Sequence, residues 1–304
     1  MAGLADYNAE NVLNWAAGVL PYPAIGSRFL ALFTAAPTSD AGTGGTEVSG
    51  TAYARVQVAG ALAAGASFTT SSTTITLGAT APAWLLALGT NGSGVNVYDL
   101  TNGQQIGAVA SIAGTTITLA AAAAHASSGA ADSLQFSAFP AAGASSGTEP
   151  AVTASSTSNG AVINFAQAGS GGWGTVLAWG LYDASSSGNL IFWDYLGNFS
   201  WIAASVSAAS PGVFASHAHG YSVADFLVVS TKFAGIVPSF SQSNFTGPLA
   251  VAHAATDTFD VTNAGTAVNT SGTGDVMVRK ITEQSIPANV TASFAASNFT
   301  LSAA

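Results

Sequence analysis

Apolar positions recur along this chain at two spacings, and the longer one is confined to the N-terminus. Tyr7, Val12, Leu13, Trp15 and Leu20 fall at roughly helical intervals. Asp6 stands where an N-cap carboxylate would accept from free backbone N–H groups, and Glu10 adds negative charge near the first turn. Gly18 and the prolines at 21 and 23 end the pattern. One short helix is predicted, and the chain beyond it reads as strand.

Residues 28–34 (RFLALFT) form a short apolar run bounded by Gly26 and Pro37. Residues 53–58 alternate, with Val56 and Val58 on one face and Arg55 and Gln57 on the other. From about 65 to 135 the chain is poorer in aromatics and carries an echo: Thr-Thr-Ile-Thr-Leu at 73–77 returns at 115–119. Between the copies, Asn102-Gly103 joins two β-rich runs, a strong hairpin signal. A Ser/Ala/Gly/Thr linker is predicted over 138–159, and aromatic strands then follow at 161–166, 175–183 and 189–196.

The last two of these are apolar on both faces and so must be covered on both sides. Aromatic residues crowd this stretch, and Trp173, Trp179, Tyr182, Phe192, Trp193, Tyr195 and Trp201 are expected at a subunit interface. Further strands are predicted at 226–233, 256–262 and 275–281, and 285–301 alternates loosely to a close at Phe294, Phe299 and Leu301.

Composition changes the picture in one respect. Charged residues make up only 6% of the 304 residues, against about a quarter in an ordinary soluble domain. Solubility usually rests on dispersed charge, so much of this surface is expected to be covered by other copies of the chain or by another protein. A homo-oligomer is predicted, a trimer most simply. Mean hydropathy is +0.43, yet no apolar run approaches the ~20 residues of a spanning helix, and membrane insertion is not expected. The net charge of −9 argues against nucleic acid, which needs a basic footprint. Cysteine is absent, which removes disulfides and thiolate metal sites. The first residues show neither a basic stretch nor a long apolar run, so no secretory signal is expected.

Several strings look chemical in isolation. Gly143-Ala144-Ser145-Ser146-Gly147 fits the nucleophile-elbow spacing but sits in linker sequence with no strand, helix or partners. Gly169, Gly171 and Gly174 fit a dinucleotide fingerprint, but a strand follows where the phosphate-binding helix is needed. His217 and His219 would share one face of a strand, and three such pairs near a trimer axis could surround a metal; a polar loop is the plainer reading. Asp99, Asp183, Asp257 and Asp260 lack calcium-loop spacing and read as turn caps. The aromatic stretch could stack sugars, but core or interface packing is the simpler use. No catalytic residue and no cofactor is expected.

The N-terminal pieces carry a family pattern. They are the helix around Asn14-Trp15, the run from Phe29 to Pro37, the Gly/Thr loop from Asp40 to Gly50, and Tyr53-Ala54-Arg55. Looser matches lie at Trp173-Gly174-Thr175-Val176, at 180–184, at 188–190 and over 286–301. Together these resemble a family of bacteriophage virion proteins known as tail fibre proteins. The resemblance implies a core made of 1–64, 136–200 and 285–304, interrupted by small β modules at 65–135 and 201–284. It implies a mainly β fold, with a sandwich or jelly-roll-like core and one short N-terminal helix. It also implies a non-enzymatic structural role in the virion, assembled in the bacterial host cytoplasm. The expected placement is capsid decoration, as a cement or head-fibre protein against the major capsid protein. The alternative is a tail or baseplate fibre touching tail or baseplate proteins, with a host glycan as a further ligand.

Overall fold

The computed structural model describes residues 3–20, 26–37, 45–129, 132–140, 156–197, 199–230 and 247–302. The fold is mainly β, as the patterning predicts. Among the described residues there are two helices, α1 (Asp6–Ala16) and α2 (Ala83–Ala87), and the rest of the regular structure is strand. None of the helices found there is long and apolar enough to cross a membrane. The chain divides into two compact units, Ala2–Asp194 with Ser285–Ala304, and Tyr195–Gln284.

The larger unit is organised by one 11-stranded sheet. Its order is β1 (Gly3–Leu4), β14 (Leu190–Tyr195), β13 (Ala178–Tyr182), β2 (Arg28–Ala35), β4 (Val56–Ala63), β9 (Ser133–Ser137), β6 (Asn96–Asp99), β7 (Gln104–Ala113), β8 (Thr116–Leu119) and β5 (Thr74–Thr76), with β3 (Thr46–Glu47) beside β2. Strand β2 lies mid-sheet, and Leu30, Ala31, Leu32 and Phe33 are all buried, which is why its sequence is apolar without alternation. Its partner β13 sets Trp179 opposite Leu32 and Gly180 opposite Ala31. Gly180 is required by closeness: a Cβ there would meet Phe33 at 2.8 Å and Leu190 at 2.9 Å.

Strands of the 65–135 stretch continue this sheet. Phe136 of β9 pairs with Gly60 on one side and Val97 on the other. The two Thr-Ile-Thr copies turn out to be partners, with Ile75 of β5 opposite Ile117 of β8. Asn102-Gly103 forms the turn between β6 and β7, and Gly103 has φ +67°. Three ribbons bring the end of the chain back onto its middle: β10 (Ser156–Ser158) with β24 (Thr300–Ser302), β11 (Ile163–Gln167) with β23 (Thr291–Phe294), and β12 (Gly174–Val176) with β22 (Gln284–Ile286).

Helix α1 begins one residue after Ala5, which occupies the N-cap and offers no side-chain hydrogen bond. Asp6 is thus the first helical residue and not the cap. Gly18, at φ +71°, closes the C-terminus by donating to the Trp15 carbonyl.

The smaller unit is a closed barrel. A seven-stranded sheet runs β16 (Val213–Ala215), β15 (Ile202–Val206), β21 (Gly274–Ile281), β17 (Phe226–Ser230), β18 (Leu249–Ala254), β19 (Thr258–Asn263) and β20 (Thr266–Ala267). Strand β16 also pairs with β19, setting Phe214 opposite Phe259, which joins the two ends of the sheet and leaves β20 as an appendage. Alternate residues fill the interior: Val206, Phe214, Leu227, Leu249, Val251, Phe259, Val261, Val276 and Val278 are buried together.

Candidate functional site

The aromatic strands come first, because an interface is expected there. Trp173, Trp179 and Tyr182 are instead buried within the larger unit, at 4%, 4% and 8% exposure. Trp179 meets Phe299 edge-on at 4.5 Å between ring centroids, and Trp173 meets Tyr53 edge-on at 5.3 Å. Phe165 stacks on Tyr53, and Phe294 contacts both Phe165 and Phe299. Within this unit Trp179 is covered by Phe299 of the final segment, Trp173 by Tyr53 and Phe165, and Tyr182 by Phe33 and Arg55. Phe192, Trp193, Tyr195 and Trp201 are only half-buried and keep accessible surface. Strand β1 pairs Leu4 with Phe192 and Gly3 with Trp193.

Beside this cluster lies the densest polar constellation of the unit. Arg55 grips Glu47 with two charge-assisted bonds, Nε to Oε1 at 2.9 Å and Nη2 to Oε2 at 2.7 Å. Its Nη1 donates to the carbonyls of Ala184 and Ser187, and its guanidinium lies 3.5 Å over the Tyr182 ring. The Tyr53 hydroxyl donates to Glu47 Oε1 and accepts from the Leu32 N–H. Burial works against the Arg55 cation, and the paired Glu47 carboxylate more than offsets it, so the guanidinium is held charged. Burial pushes the Tyr53 phenol far above its ordinary range. An acid, a base and a phenol are gathered here, but they bond to one another and to backbone. The arrangement is a clamp that fastens β3 and the start of β4 to the turn between β13 and β14. Both residues lie in the N-terminal pieces that carry the family pattern, but their pairing, and the Arg55 partners 129 and 132 residues away, were not visible.

The histidine pair sits on a turn, with Ala218 at φ +48° between the two, so the shared strand face expected of it does not form. His217 Nδ1 lies 3.0 Å from Asp257 Oδ1. The ring of His219 packs on Phe259 and Tyr221, its Nδ1 accepts from the Tyr221 N–H at 3.0 Å, and its Nε2 lies 3.3 Å from the Thr258 carbonyl. Both nitrogens of His219 are thereby occupied. His253 Nδ1 lies 2.9 Å from Asp260 Oδ2. Among the described residues, no three His, Asp or Glu side chains converge as metal ligands.

The aspartates act at turns. Asp99 is fully buried and accepts from the N–H groups of Thr101 and Asn102 and from the Asn102 side chain. Burial pushes its carboxyl up, but these donors outweigh it and hold the group below the usual carboxylate range. Asp183 accepts from Asn189 at both oxygens. Asp257 accepts from the Ala218 N–H, which with His217 lowers its carboxyl. Asp260 accepts from the His253 N–H. Gly169 and Gly172 bracket a tight turn that leads straight into β12, so the glycine fingerprint opens no helix. Residues 143–147 lie outside the described residues.

The exposed end of α1 was not singled out by the sequence. Leu13 and Trp15 of α1 are 68% and 61% exposed, and Val19 and Leu20 just beyond it 67% and 57%. The helical spacing located α1 without saying what lies against its apolar positions.

Comparison with known proteins bears on the N-terminal region. Residues 3–90 match the family model described as Podophage GP4 fiber I protein gp80. No curated protein matches. Among solved structures, a phage phi92 endosialidase is similar at 16% identity, over 40% of this chain and 18% of that one, with a TM-score of 0.20. This chain therefore spans under a fifth of the length of that enzyme. The resemblance read from the N-terminal sequence is borne out: over residues 3–90 this chain is similar to a phage fibre protein.

Proposed function

We propose that this chain is a non-enzymatic structural protein of a bacteriophage virion, working as a homo-oligomer, a trimer most simply. The observation that carries the reading is the fibre-family match over residues 3–90, which contain α1, β2, the Glu47–Arg55 clamp and the first strands of the sheet. The geometry supports it. Each described string that looks chemical is built as a turn or a polar tie, the exposed His217–Asp257 and His253–Asp260 pairs being surface ties of the barrel.

Capsid decoration is the favoured placement, against the major capsid protein. The described chain is one large sheet and a small barrel, without the heptads or long repeats of a shaft. Residues 65–135 and the barrel would face outward. The alternative is a tail or baseplate fibre, which the word fiber in the matching family's description favours. Copy number in purified particles of the encoding phage, measured by quantitative mass spectrometry, separates the two. Hundreds of copies support the capsid, a few to tens support the tail, and absence from the particle overturns the structural reading. Glycan binding by the isolated protein would move weight to the tail.

A further inference from the structure

Helix α1 is poorly supported by the chain it belongs to. It has 11 residues and no side-chain cap, and a helix this short is marginal in water without packing, since isolated helices need roughly 12–15 residues. The stripe formed by positions 8, 12 and 15 starts against the body, where Asn8 is 4% exposed. It then runs out into solvent, with Val12 at 38% and Trp15 at 61%. The helix thus lifts away from the sheet along its length. Leu13 on an adjoining side, and Val19 and Leu20 past the end, extend the uncovered apolar surface.

From ordinary side-chain areas, Val12, Leu13, Trp15, Val19 and Leu20 together present on the order of 500 Å² per copy. That approaches the ~800 Å² per partner of a standard stable interface. More apolar surface adjoins it, because β1 leads directly into α1 and lies on Phe192 and Trp193, both half-buried.

We infer that this surface is where copies of the chain meet, α1 packing against α1 or β14 of a second copy. The inference rests on the homo-oligomer reading and names its seam. Three observations favour a second copy over a foreign protein. The surface carries no Lys or Arg, and its acids, Asp6 and Glu10, lie towards the N-terminal end of the helix, so it offers no charge pattern for selecting another partner. Apolar faces, by contrast, pack on themselves without charge matching. A helix too short to stand alone also needs its cover as soon as the chain folds, when another copy is the partner present in equal amount.

The test is the solution mass of the full chain and of two double variants, Leu13→Glu with Trp15→Glu and Val19→Glu with Leu20→Glu, by light scattering at micromolar concentration. The expected result is a multiple of 29.9 kDa for the wild type and a single-chain mass for both variants, with unchanged circular dichroism. If the first pair unfolds α1, the second pair, which lies beyond the helix, decides. Variants that keep the wild-type mass overturn this seam while leaving the homo-oligomer reading intact. A wild type of single-chain mass overturns both.

Discussion

The two units of this chain solve the edge problem of a β-sheet in different ways. The barrel closes on itself through the β16–β19 pairing, so its strands end on each other and its interior fills with Val, Leu and Phe. The larger unit closes only in part. Its sheet runs from β1, an edge, to β5, whose end is tied back to the end of β4 by the Ala64–Leu77 bridge, and its chain is held by polar ties between distant segments. Arg55 fastens the β2–β4 region to the β13–β14 turn. Asn159, fully buried, donates to the Ala161 and Ala295 carbonyls and accepts from the Phe299 N–H, which binds the final segment to the middle of the chain. Under the proposed assembly, the barrel is the part expected to stand alone, and the sheet with the exposed end of α1 the part expected to be joined.

The largest effect that would sharpen this contrast is Phe214→Ala. It removes a ring stacked at 5.1 Å on Phe259 at the closure of the barrel, and a buried Phe truncated to Ala costs about 4 kcal/mol. Calorimetry should show the barrel's transition lowered with that of the larger unit unmoved; a shift of both would break the comparison. Asn159→Ala comes next, at about 3 kcal/mol, because it strips partners from buried backbone groups of two segments at once. The expected readout is faster proteolysis of the C-terminal segment and a lower urea midpoint, with the barrel intact. Arg55→Met keeps the contact with Tyr182 but leaves Glu47 with only the Tyr53 hydroxyl and takes the donor from two carbonyls, and about 2 kcal/mol is expected in the same denaturation.

Acid should also act on the larger unit. The folded value of the Asp99 carboxyl lies below its ordinary one. Its contribution is therefore present above about pH 4, the unfolded value, and is lost as pH falls through the depressed folded value. Asp99→Asn should flatten that acid limb of stability against pH; an unchanged limb would mean that Asp99 has no part in it. The smallest effect belongs to His217→Ala. The pair with Asp257 is exposed on the barrel surface, so no measurable change in the urea denaturation is expected.

Much of this fold was legible because it follows from short-range pattern. Helix α1, the Asn102-Gly103 hairpin and the apolar β2 are local facts of spacing and turn chemistry. The double-sided burial of β13 was legible too, but not its cover, because Phe299 lies over a hundred residues downstream in a segment that alternates only loosely, while β14 keeps half-exposed positions. Asn159 was hidden for the same reason: in sequence it belongs to a Ser/Gly/Ala linker, and its partners are set by the return of the chain end. Helix α2 is a single turn after Pro82, too short for any periodicity. The barrel's closure rests on the three-residue strand β16, which carries almost no pattern of its own. Of the candidate site, the His pair was visible as residues, whereas its geometry depended on a turn at Ala218. The uncovered face of α1 could not be read at all, since helical spacing locates a face without saying what lies against it.

Assembly is the central claim, and the mass of the unmodified full chain in solution tests it most directly. Sedimentation equilibrium at micromolar concentration should give an integer multiple of 29.9 kDa, three chains most simply. A mass of 29.9 kDa that persists as concentration rises would contradict it.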